Sequence, residues 1–197
     1  MIAIIISNPK YIDNESNIIN SLFDNGLMFF HIRKDIDDIN SLESLIKSLK
    51  PEYYNRIILH HNFELVEKYN LKGYHFGKKT KHLLKDFINN SFQKSISCHY
   101  FDEIEKLQYS FDYVFLSPIF DSISKTDYKS TFNKDELTQF IENYKSQKII
   151  ALGGIAEDNI DIIKQFGFYG FAILGDLWGK NINNSVYYIK NILSKCS

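Results

Sequence analysis

Residues 148–178, KIIALGGIAEDNIDIIKQFGFYGFAILGDLW, decide the fold. Ile149, Ile150, Ala151 and Leu152 form an apolar run without alternation, the pattern of a strand buried on both faces. Gly153 and Gly154 follow it. Ile160, Ile162, Ile163 and Phe166 then fit one face of a helix. Phe171, Ala172, Ile173 and Leu174 repeat the buried-strand pattern, and Gly175 follows. Two successive parallel strands, each ending in glycine before a helix, make a phosphate cradle. Bare N–H groups at a helix N-terminus favour an anion, and glycine lets it approach closely. In closed barrels of eight β/α units such a site commonly follows strands seven and eight.

The same alternation runs through the rest of the chain. Strands are expected at Ile2–Ile6, Met28–Arg33, Arg56–His60, Gly73–Phe76, Ser95–Cys98, Tyr113–Ser117, Lys148–Leu152 and Gly170–Leu174. Helical patterns fall at Asn17–Phe23, Ile39–Leu49, Glu64–Tyr69, Asp102–Gln108, Lys134–Tyr144, Asp158–Phe166 and Val186–Leu193. Thr80–Gln93 reads either as a short helix at Leu83–Ile88 or as loop. Strands alternating with helices mean a parallel sheet with crossovers, and eight strands close a barrel. The expected fold is therefore α/β, a single (β/α)8 TIM barrel over residues 1–197, with a doubly wound open sheet as the alternative. No Pro/Gly/Ser-rich linker divides the chain.

The composition is that of an ordinary globular domain: 197 residues, 44% hydrophobic and 24% charged. A formal net charge of -1 and only two arginines give no field for nucleic acid, and no basic stripe accompanies the aromatic residues. No apolar run approaches the roughly 20 residues of a membrane span. Cys98 and Cys196 stand far apart, which argues against a disulfide scaffold and fits a reducing cytoplasm. Cys98 and His99 point to opposite faces of a strand, so they form no thiol–imidazole pair, and Cys98 is expected in the core. The sequence leaves a homodimer open.

In a closed barrel the reactive groups gather at the C-terminal strand ends. Those ends read His31-Ile32-Arg33-Lys34, His60-His61-Asn62, His75-Phe76-Gly77-Lys78, Ser97-Cys98-His99 and Ser117-Pro118-Ile119-Phe120. Five of the six histidines thus fall at one rim.

HIRKD at 31–35, GYHFG at 73–77, SISCH at 95–99, DYVFLSPIFDSISK at 112–125 and the glycine-rich final segment resemble the thiamine phosphate synthase and thiazole tautomerase superfamily over nearly the whole chain. The resemblance implies a transferase that joins hydroxymethylpyrimidine diphosphate to thiazole phosphate, releasing diphosphate. It puts Arg33 and Lys125 at the leaving diphosphate and lets Ser97, Ser122 and Ser124 donate to phosphate oxygens. His31 stands where the family has a pyrimidine-side glutamine. Gly153, Gly154 and Gly175 would hold the thiazole phosphate. Lys34, His60, His61, His75, Lys78, His99 and Pro118 complete the expected substrate contacts.

The chain departs from the family at its magnesium ligands, since His61 and Thr80 stand where the two aspartates belong. Asp35 likewise replaces a lysine. Three readings follow. Lys78 or Lys79 neutralises the diphosphate directly, or His60, His61 and His99 bind a metal themselves, or the chain is a divergent relative with another phosphorylated substrate or none. A tautomerase would need a histidine near the end of strand six. Pro118 stands there, and no histidine lies beyond His99. A non-catalytic phosphate-ligand binding protein is the remaining alternative.

Overall fold

In the computed structural model, which describes residues 1–121 and 132–196, eight parallel strands close into a barrel in sequence order. They are β1 (Ile2–Ile6), β2 (Phe29–Ile32), β3 (Ile57–Leu59), β4 (Gly73–Phe76), β5 (Gln93–Cys98), β6 (Tyr113–Leu116), β7 (Ile149–Ala151) and β8 (Gly170–Ile173). The helices α1 (Glu15–Asp24), α2 (Ile39–Lys47), α3 (Glu64–Lys68), α4 (Leu84–Phe87), α5 (Phe101–Glu105), α6 (Lys134–Asn143), α7 (Ile160–Gln165) and α8 (Ser185–Ser194) follow their strands in turn. β1 pairs with β8 through Ile4↔Ala172 and Ile5↔Ile173, so the open-sheet alternative is excluded.

Five of the eight strands end one residue before the expected end, and β1, β4 and β5 end where expected. The ambiguous Thr80–Gln93 stretch holds a 3-10 turn at Lys81–Leu83, the single-turn α4 and the start of β5. Two helices start on side-chain caps that satisfy otherwise orphaned N–H groups. The Asp38 carboxylate accepts from Asn40 N and Ser41 N ahead of α2, and Asn133 Oδ1 accepts from Asp135 N ahead of α6.

Alternation along each strand divides the core into two layers. Residues of one phase face outward against the helices, including Ala3, Ile5, Phe30, Ile32, Leu59, Tyr74, Phe76 and Ile173. A separate cluster of the other phase, Ile4, Ile6, Tyr113, Phe115, Ile150 and Ala172, fills the barrel axis. The same inward phase carries His31 on β2, His75 on β4, and Ser95 and Ser97 on β5. The barrel interior is therefore apolar from β6 round to β1, and between β2 and β5 it carries polar side chains beside the inward Ile58. Cys98 takes the outward phase and is fully buried, and desolvation pushes its thiol up to about 11.

Candidate active site

The glycine turn after β7 is formed as its sequence requires. Gly153 and Gly154 both lie in the left-handed region, at φ +93 and +66. A Cβ on Gly153 would sit 2.8 Å from the Cα and Cβ of Pro118, and one on Gly154 would meet the Asp121 carbonyl oxygen and lie 2.7 Å from Phe120 Cβ. Pro118 and Phe120 thus back the turn, while Ile119 N and Phe120 N donate to the Leu152 and Gly153 carbonyls. The Asn159 side chain ties the turn to the first helical residues, with Nδ2 donating to Gly154 O (2.8 Å) and Oδ1 accepting from Ala156 N (3.0 Å). Gly175 heads the helical stretch that follows β8. Next to it, the buried Asp176 carboxylate accepts from Glu157 N (3.2 Å) and Tyr188 Oη (2.9 Å), locking the two turns together. Gly154→Ala is expected to lower stability by about 2–4 kcal/mol, from left-handed strain plus the clash with backbone. Urea unfolding reads it directly, and an unchanged midpoint would mean that the turn repacks.

On the polar side, three imidazoles come together. His31 Nδ1 lies 3.0 Å from His60 Nε2, and His31 Nε2 lies 2.6 Å from Tyr113 Oη. His75 is held at both ring nitrogens, by Ser95 Oγ at 2.8 Å and Ser97 Oγ at 2.7 Å. The His60 and His75 rings stack with centroids 4.2 Å apart, over the inward Phe115. Burial pushes the pKa of all three histidines down, with His75 at about 3; His75 adds to the effect on His31, and Arg33 adds to it on His60 and His75. All three rings are therefore neutral at pH 7.

The other expected site residues are distributed differently. Arg33 is exposed at the rim, and its backbone is fixed by Ser7, whose Oγ donates to Arg33 O (2.7 Å) and accepts from Arg33 N (2.9 Å). Lys34 does not reach the mouth. Its ammonium is buried against the Glu15 carboxylate at 2.6 and 2.7 Å and donates to the carbonyls of Asn8 and Lys10, pinning the β1–α1 loop. His61 leaves the barrel phase: its Nε2 accepts from Lys34 N (3.2 Å), and its Nδ1 faces both Asp37 Oδ1 at 3.1 Å and Asn62 Nδ2 at 2.9 Å. His99 is exposed and turns its Nδ1 to the Ser117 carbonyl at 2.9 Å. The structure thus does not gather His60, His61 and His99 into one cluster. Lys78 is exposed on the Gly77–Thr80 turn. Ser122, Ser124 and Lys125 lie outside the described residues.

Magnesium takes oxygen ligands, usually carboxylates and waters. The residues at its family position do not fit it. The Thr80 hydroxyl is buried and accepts from Gly77 N (3.0 Å), His61 offers nitrogen, and the neighbouring Asp37 is already bonded to His61 and Asn62. Among the described residues, the group that could hold an ion is His31, His60 and His75, all imidazole.

Tyr113 and Ser95, which bond the imidazoles, and Glu15, which neutralises Lys34, are contacts that strand ends alone do not announce. The signal for the first two is the period of two: Ser95 precedes Ser97, and Tyr113 precedes Phe115, on the inward phase.

A closed eight-stranded parallel barrel with its polar groups gathered at the strand C-termini has the layout of a barrel enzyme. The chain matches the family described as thiamine monophosphate synthase over residues 3–177. A thiamine-phosphate synthase of Staphylococcus haemolyticus is 26% identical over 188 residues, covering 88% of this chain and 86% of that protein. One from Flavobacterium psychrophilum is also 26% identical, over 86% of this chain and 87% of its own. The crystal structure of a thiamine phosphate pyrophosphorylase from Bacteroides thetaiotaomicron superposes with a TM-score of 0.84 at 32% identity, covering 100% of this chain and 98% of that one. A thiamine phosphate pyrophosphorylase from Pyrococcus furiosus, 16% identical, shares the fold with a TM-score of 0.75 over 98% of this chain and 94% of that one. The chain belongs to the thiamine monophosphate synthase family and is a transferase of that family.

Proposed function

We propose that this barrel condenses hydroxymethylpyrimidine diphosphate with thiazole phosphate to give thiamine phosphate and diphosphate. The observation that carries the reading is the family match over residues 3–177, which takes in the glycine turn after β7. In this reading the Gly153–Gly154 turn and the Gly175 turn receive the thiazole phosphate on backbone N–H groups. Arg33 faces the diphosphate from the opposite rim as a fixed, forked cation. Ser97 donates to a phosphate oxygen. That role selects one tautomer of neutral His75: with the proton on Nε2, His75 donates to Ser97 Oγ and leaves the serine hydroxyl free to donate outward.

The carbon–oxygen bond to the diphosphate breaks and a pyrimidine cation forms, which the thiazole nitrogen captures. Such a reaction needs charge stabilisation at the leaving group and fixed orientation rather than a strong base. The two positions of the family's aspartates carry His61 and Thr80. Lys78 and Lys79, both exposed on the turn after β4, supply positive charge on that side of the mouth.

Incubation with both substrates tests the reading. Thiamine phosphate formation supports it, and thiazole phosphate binding without turnover would leave a binding protein. Arg33→Ala is expected to lower kcat/KM by about 10²–10³, the loss of one preorganised charge partner at a developing anion. An unchanged rate would remove Arg33 from the reaction. Turnover is expected to persist without added magnesium, and strict dependence on it would contradict the lysine assignment.

A further inference from the structure

We propose that His31, His60 and His75 form a binding site for a divalent transition-metal ion of the zinc class. The three rings project inward from adjacent strands, and one nitrogen of each lies within 4.8 Å of the others. Ring centroids are separated by 5.2 Å for His31–His60, 5.4 Å for His31–His75 and 4.2 Å for His60–His75. With a Zn–N bond of about 2.0–2.1 Å, the centroid of a bound imidazole lies about 3.2 Å from the ion, so three such rings stand roughly 4.5–5.3 Å apart at angles of 90–110°. The observed spacings bracket that range. His31 Nδ1 and His60 Nε2 already face each other at 3.0 Å, against about 3.3 Å for neighbouring ligands of a tetrahedral zinc.

The supporting contacts are those of a ligand set held in place. The Tyr113 hydroxyl fixes the far nitrogen of His31, and Ser95 and Ser97 engage both ring nitrogens of His75, so ligation by His75 displaces one serine hydroxyl while the other keeps the ring oriented. His60, the partly exposed member, is the ring that must tilt out of its stack on His75, and among the described residues only its Nε2 is engaged. Burial keeps all three rings unprotonated, as ligation requires. Imidazole donors without carboxylate select zinc, cobalt, nickel or copper over magnesium.

The full chain, stripped with chelator and dialysed, is titrated with Co²⁺ followed by visible absorption and with Zn²⁺ by calorimetry. One ion per chain is expected at micromolar concentration, with the intense d–d bands of four- or five-coordinate Co²⁺. His60→Gln should abolish binding, and Tyr113→Phe should weaken it by roughly 10–100-fold, as loss of an orienting hydroxyl does. His82→Gln, on the surface helical turn after β4, should leave it unchanged. Absence of stoichiometric binding, or binding that survives His60→Gln, overturns the site. If His60→Gln does not fold, Tyr113→Phe decides in the same way. The readout is binding itself, so the site stands or falls independently of whether the barrel forms thiamine phosphate.

Discussion

Lowering the pH from 7.5 to 5 is expected to cost the metal-free barrel roughly 4–6 kcal/mol of stability, about 2 kcal/mol for each of three buried imidazoles. His31 and His75 are buried in the barrel and His60 is partly so, and each pKa is held below its usual 6.5, that of His75 at about 3. Below pH 6.5 the unfolded chain takes up protons that the folded barrel refuses. Stability is therefore fully present above 6.5 and falls as the pH drops toward the folded values. His60 contributes least, because water reaches it and softens its desolvation. The loss is comparable with the whole stability of a domain, about 5–15 kcal/mol, so acid unfolding should set in well above the range where carboxylates titrate. Urea unfolding at stepped pH measures the slope. A proton uptake below one per molecule between pH 6 and 5 would mean that the rings are protonated in the folded state. His75→Asn should reduce the uptake by one proton whatever it does to absolute stability.

Lys34→Met is expected to destabilise the barrel by about 3–5 kcal/mol, since it leaves the Glu15 carboxylate buried and unpaired. The pair is sealed inside the β1–α1 loop, with both side chains nearly inaccessible, and Lys34 also lies 4.6 Å from the centre of the Tyr11 ring. Burial raises the Glu15 pKa even with Lys34 against it, and burial lowers that of Lys34. Without the ammonium, Glu15 is pushed further up. The penalty should therefore be largest at high pH and shrink as the pH falls and the carboxyl takes up a proton. The double variant Lys34→Met/Glu15→Leu should recover most of the loss, because no charge is then stranded. Denaturant midpoints of the single and double variants test this. A single-variant cost below about 1 kcal/mol would show that the pair is solvated and unimportant. The same geometry explains why a lysine beside Arg33 in sequence is not beside it at the mouth: adjacent strand residues face opposite ways.

The rim histidines show how far reading strand ends carries. His31 and His75 are inward residues of β2 and β4, His60 follows β3 two residues after the level-paired Ile58, and a period of two would have grouped them. Grouping by sequence neighbourhood instead joined His60 with His61. His61 is the neighbour of His60 and faces the other way, so its ring turns to the Lys34 amide and Asp37. The Thr80 position was legible as a lost carboxylate. That its hydroxyl is used up inside a tight turn was not, because the bond to Gly77 depends on the turn's backbone path.

Sequence alone determined the eight buried apolar runs, their separation by helices and the paired glycines after the seventh strand. These rest on local chemistry, namely burial on both faces of a parallel strand and backbone angles that only glycine adopts without strain. Tertiary structure decided what faces what. Closure of β8 onto β1 fixed the register in which Ile6, His31 and Ile58 lie level across three strands, and with it the inward phase of every strand. That phase gathers three imidazoles, a tyrosine and two serines into one polar wall. The period of two gives which way each side chain faces, but their meeting at one level depends on the register between strands distant in sequence, which closure of the barrel sets.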